Sequence, residues 1–155
     1  MAEENNSFRQ VFWTTVVVGM ATVIFGSALR LIERDVINKS AYQGVRGYFR
    51  TMQPDYFPLL YLLVAFVFTF AVVWLYRMVA PQLPRNWIIR GLLVGSFLFV
   101  AGDLPHSIHT GYTTIIPARA AQGMALTALL NRLIDGCILT YTYMRLSPEW
   151  RKQKA

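Results

Sequence analysis

The sequence predicts an all-α integral membrane protein, a bundle of four transmembrane helices with a short amphipathic segment outside the membrane between the first and second helices. Two observations lead to this fold class. Only 15% of the 155 residues are charged, whereas soluble domains carry about 25%. The apolar residues are also clustered, because residues 10–29 and 56–76 contain no charged side chain. Each run matches the roughly 20 residues that cross the hydrocarbon of a bilayer.

Four predicted helices follow one another at about 11–32, 57–79, 87–108 and 120–144. The first two are the charge-free runs. The third contains Arg90 near one end and Asp103 near the other, and the fourth contains several polar residues within an apolar sequence. The connections are short and rich in proline, a residue that interrupts helices. Residues 1–155 are therefore predicted to form a single domain.

The basic residues predict the orientation of the bundle. Both termini and the turn between the second and third helices lie on one side and carry eight Lys and Arg residues, and the other two connections carry six. Because cytoplasmic segments are enriched in Lys and Arg, both termini are predicted to be cytoplasmic, with a bacterial inner membrane as the expected location. Membrane topology and lipid headgroups also account for the net charge of +7. No nucleic-acid partner is predicted.

The connection between the first two helices is amphipathic if it is helical. This pattern predicts a helix lying in the membrane interface, and Gly44 and Gly47 favour an irregular loop as the alternative. Its basic and apolar residues take opposite helical faces, with Lys39, Arg46 and Arg50 on one and Ala41, Val45, Tyr48, Phe49 and Met52 on the other.

Small residues at helical spacing predict where the helices pack. In lipid, helices associate through small side chains that let their backbones approach. The second helix has no such stripe and is predicted to be the most lipid-exposed. The predicted packing positions are Gly19 and Gly26 in the first helix, Gly91, Gly95 and Gly102 in the third, and Ala121, Ala125 and Ala128 in the fourth.

Charged residues continue the same faces. A charge at the centre of a transmembrane helix costs about 2.5–3.5 kcal/mol, so such residues are expected to face inward and to pair. Arg132 is predicted to pair with Asp135 on its own helix, beside Asn131. Arg30 is predicted to pair with Asp103 at a similar depth, which makes the interior formally neutral. Two interpretations remain open: the pairs set the helix order, or they form a proton or ion path.

Asp103, His106 and His109 follow one another at intervals of three residues. Two histidines and a carboxylate suit iron, and a single histidine can hold haem or a pigment. However, Pro105 interrupts the pattern and the chain has only these two histidines. No cofactor is predicted, with haem, pigment or metal binding at His106 or His109 as the alternative. The single cysteine, Cys137, excludes a disulfide within one chain.

These patterns favour a non-catalytic protein. The leading hypothesis is an accessory or structural subunit, or an assembly factor, of a larger inner-membrane complex, respiratory or photosynthetic. Its partners would be the lipid bilayer and other membrane subunits or further copies of the chain. One alternative is a small oligomeric transporter or channel that uses Asp103, Arg132 and Asp135. Another is a membrane enzyme or a haem-, pigment- or metal-binding protein that uses His106 and His109.

Overall fold

A computed structural model describes residues 2–33, 36, 57–113 and 118–147. Every secondary-structure element among these residues is a helix. The prediction of four helices long and apolar enough to cross a membrane is confirmed. The predicted amphipathic segment, 39–52, lies outside the described residues. The helices are α1 (Ala2–Ile32), α2 (Phe57–Val79), α3, which comprises Trp87–Leu98, a π-helical turn Phe99–Asp103 and Leu104–Thr113, and α4 (Ala118–Leu146).

The turn between α2 and α3 is closed by two polar side chains. Asn86 caps α3, because its Oδ1 accepts hydrogen bonds from the backbone N–H of Ile88 at 2.9 Å and of the next residue at 3.4 Å. Arg90 turns back toward this end of the helix, where its Nε donates to the Pro84 carbonyl at 2.7 Å and its Nη2 to the Leu83 carbonyl at 3.1 Å. A charge in an apolar helix is therefore satisfied by the carbonyl groups of the turn.

The central element of the bundle is α4, which packs against both α1 and α3, while α2 packs against α1. The helices α1 and α4 are antiparallel, since Gln10 donates to the Tyr143 carbonyl near one end and Thr22 to Asp135 further along. An apolar core fills the half of the bundle nearer the termini. It consists of Val11, Val18, Val73, Tyr76, Ala80 and Leu139.

Three glycines bring the backbones of α3 and α4 into direct contact. A Cβ placed on Gly91 would lie 2.6 Å from the Cα of Cys137, and one on Gly95 would overlap the carbonyl oxygen of Arg132. From the other side, a Cβ on Gly136 would overlap the carbonyl oxygen of Gly91. Such distances leave no room for any side chain, so this contact requires glycine at all three positions.

The other predicted packing positions differ in their surroundings. Gly19 faces α2, where a Cβ would lie 3.8 Å from the Phe66 ring, and Gly26 faces α4 at 3.5 Å from the Asn131 amide. Ala121 is buried, and Ala125 and Ala128 are half-buried. The prediction that Gly102 is a packing position was wrong. Gly102 is exposed, and a Cβ there would meet no described atom within 4 Å.

The two kinds of glycine in α3 give a matched pair of substitutions. Gly95→Ala should destabilise the bundle by about 1–3 kcal/mol, because the added methyl group overlaps the backbone of α4. Gly102→Ala has open space and replaces glycine within a helix, so it should be neutral or stabilising by up to about 1 kcal/mol. The free energy of unfolding in mixed detergent micelles measures both. Equal losses from the two substitutions would contradict the assigned contact.

Candidate functional site

One turn of α3 departs from α-helical geometry. Between Phe99 and Asp103 the helix is π-helical, and the N–H of Leu104 donates to the carbonyl of Phe99, five residues earlier. A π-turn contains one residue more than the α-helical turn it replaces. Since each residue of a helix turns the chain by about 100°, the extra residue changes which side chains share a face with those before the turn.

This turn places Asp103 on the face that packs against α4. In an uninterrupted α-helix, Gly102 would follow Gly91 and Gly95 on one face, and Asp103 would lie about 100° away. The extra residue moves Asp103 to that position and turns Gly102 outward, in agreement with the open surroundings of Gly102. The π-turn is thus the physical reason for the corrected position of Gly102.

Asp103 binds Arg132 of α4 through two contacts. Nε of Arg132 lies 2.5 Å from Oδ2, and Nη2 lies 3.3 Å from Oδ1. Gly95 packs against the backbone of Arg132. Asp103 comes eight residues after Gly95, about 12 Å further along α3 at 1.5 Å per residue. Side chains lean toward the N-terminus of their own helix, and in this antiparallel pair the two side chains therefore lean toward each other. The length of the arginine side chain covers the remaining distance.

A second carboxylate near Arg132, that of Asp135, is buried. Asp135 is 4% exposed and accepts a hydrogen bond from the Thr22 hydroxyl of α1 at 2.9 Å. The Asn131 amide and the Nη1 of Arg132 each lie 3.5 Å from its other oxygen. We refer to Thr22, Asp103, Asn131, Arg132 and Asp135 as the charge network. It connects α1, α3 and α4.

The remaining helix, α2, also contacts the charge network. The guanidinium of Arg132 lies 5.8 Å from the centre of the Phe68 ring of α2, a cation–π distance.

Arg132 is near the midpoint of the apolar segment Arg119–Leu146, about 20 Å from either end. With both acids ionised, the charge network has two negative charges and one positive charge. It is therefore formally anionic at the middle of the bundle.

The structure changes two predicted pairings. Asp103 is bound by Arg132 and not by Arg30, which is exposed near the end of α1. The acid nearest to Arg132 is Asp103 at 2.5 Å and not Asp135, although Asp135 also lies within ion-pair distance at 3.5 Å. The predicted pair of Arg30 and Asp103 assumed an uninterrupted helix, and the π-turn removes that assumption. The predicted neutral interior is also corrected, because Arg30 lies outside the charge network.

The alternative metal site, built from Asp103, His106 and His109, is not assembled among these residues. Both histidines are exposed, and the carboxylate of Asp103 is engaged by Arg132. Across residues 2–33, 57–113 and 118–147, no three His, Cys, Asp or Glu side chains are grouped so as to hold a metal ion.

Two residues of this region make contacts that the sequence pattern does not predict. Thr22 lies on the small-residue face of α1, one turn before Gly26, and its role as a donor to Asp135 depends on which helix faces it. Gly136 directly follows Asp135 in the sequence. It lies four residues after Arg132, so its position beside a polar face was the available signal.

No family model matches this chain, nor does any curated protein or solved structure.

Removing the guanidinium of Arg132 leaves two carboxylates without their cation. Arg132→Leu should therefore destabilise the bundle by about 3–5 kcal/mol, as expected when one partner of a buried ion pair is lost. Arg30→Leu is the matched control, because it removes an exposed arginine from the same bundle and should change stability by less than about 0.5 kcal/mol. Unfolding in mixed micelles compares them. A small effect of Arg132→Leu would show that the charge network adds little to stability.

The π-turn predicts an unusual tolerance of deletion. Removing the exposed Ala101 should convert the π-turn into an α-helical turn, so that the residues on both sides keep their faces and Asp103 still binds Arg132. The cost should be at most about 1 kcal/mol. Deleting Leu93 is the control, since it rotates Gly95 away from α4 and should abolish stable folding. If both deletions are equally damaging, the extra residue is not what orients Asp103.

Proposed function

We propose that this chain is an integral membrane protein that crosses a bilayer with its four helices. We further propose that it acts as a non-catalytic accessory subunit or assembly factor of a larger inner-membrane complex. The observation that carries the proposal is the charge network: its charged groups bind one another between helices, while the outer surface of the bundle is apolar.

The outer surface supports insertion into a bilayer. Large apolar side chains are exposed on every helix, among them Met20 at 61%, Leu63 at 62% and Phe97 at 70%. Contiguous apolar surface of this kind is unfavourable in water and favourable against lipid. The charged side chains at mid-length, Asp103, Arg132 and Asp135, face inward instead, which is the arrangement expected for charged residues in transmembrane helices.

The geometry of the charge network supports a structural role. Asp135 is buried and accepts hydrogen bonds from Thr22 of α1 and Asn131 of α4. The guanidinium of Arg132 lies near Asp135 and binds Asp103 of α3. Interactions of this kind fix which helices are neighbours and how they are rotated. The apolar faces that remain, especially on α2, are then the surfaces offered to lipid and to neighbouring subunits.

One observation favours a second candidate function, the movement of protons or cations. The charge network has one acid more than it has bases, and the Oδ1 of Asn131 is a buried acceptor for which the described structure provides no donor. An excess carboxylate beside a vacant acceptor can hold a proton or a small cation, and buried acids of this kind serve in proton relays.

Purification from the native membrane tests the two functions against each other. An accessory subunit should co-purify with other polypeptides in constant ratio after mild solubilisation, and the purified chain in vesicles should not dissipate a pH gradient. A relay should dissipate the gradient without partners, and Asp135→Asn should abolish that activity. Gradient loss that depends on Asp135, in a preparation free of other polypeptides, would contradict the accessory role.

Cysteine labelling tests the proposed orientation, in which both termini are cytoplasmic. In a Cys137→Ala background, a cysteine at Gln82, in the turn after α2, should react with a membrane-impermeant maleimide only after the membrane is opened. A cysteine at Gln43, in the connection between the first two helices, should react in intact cells. The opposite pattern would invert the orientation, since the excess of eight basic residues over six is small.

A further inference from the structure

A shallow groove runs between α3 and α4 on the outer face of the bundle. Its walls are apolar and include Leu92 of α3 and Leu133, Ile134 and Ile138 of α4. The groove lies over the glycine contact, where the two backbones approach closely. Cys137 packs against Gly91 in that contact and also lines the groove. The neighbouring large side chains of the two helices form its sides.

One end of the groove carries aromatic rings and a positive charge. Trp87 and Tyr141 meet edge to face, with their ring centres 5.4 Å apart. The guanidinium of Arg145 lies over the Tyr141 ring at 5.1 Å, and its Nε donates to the Tyr141 hydroxyl at 3.0 Å. Among the described residues Arg145 makes no ion pair with a carboxylate, and its hydrogen bond to Tyr141 uses Nε and not the Nη groups.

We propose that this groove, given that the chain spans a membrane as proposed above, binds an anionic phospholipid. One acyl chain lies in the apolar groove and the phosphate contacts Arg145. A guanidinium binds phosphate oxygens through several hydrogen bonds, whereas an apolar groove without a charge would accept any acyl chain. The preference for an anionic lipid therefore depends on the charge of Arg145.

The position of Arg145 agrees with the depth of a headgroup. Arg145 is in the last turn of α4, and Trp87 is the first residue of α3. The same end of the bundle carries Arg77 and Arg85, with no acidic residue between positions 77 and 90. A basic residue near a membrane surface attracts anionic lipid by about 1 kcal/mol, and Arg145 is the basic residue that lies beside the acyl groove.

Quenching of Trp87 fluorescence by brominated lipids tests the proposal. The variant with Trp13→Phe, Trp74→Phe and Trp150→Phe retains one tryptophan, which lines the groove. It is reconstituted in unlabelled phosphatidylcholine with a minor fraction of either brominated phosphatidylglycerol or brominated phosphatidylcholine. The anionic lipid should bind about fivefold more strongly, the ratio that corresponds to one basic residue near the surface. Arg145→Gln should reduce this ratio to about one.

Arg77→Gln is the matched control, because Arg77 is at the same end of the bundle on α2, where it lies over Trp74, away from the groove. It should leave the ratio close to its original value. Equal quenching by the two lipids, or equal effects of the two arginine substitutions, would overturn the lipid site and leave membrane insertion intact. Absence of quenching by either lipid would instead contradict the proposed insertion in a bilayer.

Discussion

A single guanidinium holds carboxylates from two helices at the middle of the bundle. Arg132 contacts Asp103 of α3 and Asp135 of its own helix, and Asp135 in turn is bound by Thr22 of α1. A buried charge is strongly unfavourable unless a partner is placed at hydrogen-bond distance. The positions of α1 and α3 around α4 are therefore constrained by the need to satisfy these groups, and the apolar contacts fill the space that this arrangement leaves.

The backbone contact of α3 and α4 and the π-turn make this arrangement possible together. Gly91, Gly95 and Gly136 bring the two helices close enough for a short carboxylate to meet an arginine side chain. The π-turn then rotates Asp103 onto the face that the glycines define. Without the glycine contact Asp103 would lie too far from Arg132, and without the π-turn it would be rotated away from Arg132.

The sequence was sufficient to predict the helices but not the pairing of their charges. Two charge-free runs and the apolar surroundings of Asp103 and Arg132 predicted four long helices, because length and composition decide whether a segment is long and apolar enough to cross a bilayer. The partner of Asp103 could not be derived in the same way. Its face depends on one extra residue in a turn of ordinary helix-forming composition, and no propensity distinguishes a π-turn from an α-helical turn there.

The same limit applies to partners that lie on other helices. The pairing of Arg132 with Asp135 follows from their spacing along one helix, whereas the contact of Thr22 with Asp135 follows only from how the helices are arranged. Gly136 and Gly102 illustrate the point from the side of packing. Both are glycines in long apolar helices, yet one is pressed against a neighbouring backbone and the other faces open space.

The contact between Asp103 and Arg132 is tested most directly by a double-mutant cycle. Asp103→Asn, Arg132→Gln and the double variant are compared by their free energies of unfolding in mixed micelles, beside a control cycle of Asp103→Asn with Arg30→Gln. A direct ion pair predicts a coupling of at least about 1 kcal/mol in the first cycle and additivity within about 0.5 kcal/mol in the control. Additive effects in the first cycle, or an equal coupling of Asp103 to Arg30, would contradict the arrangement described above.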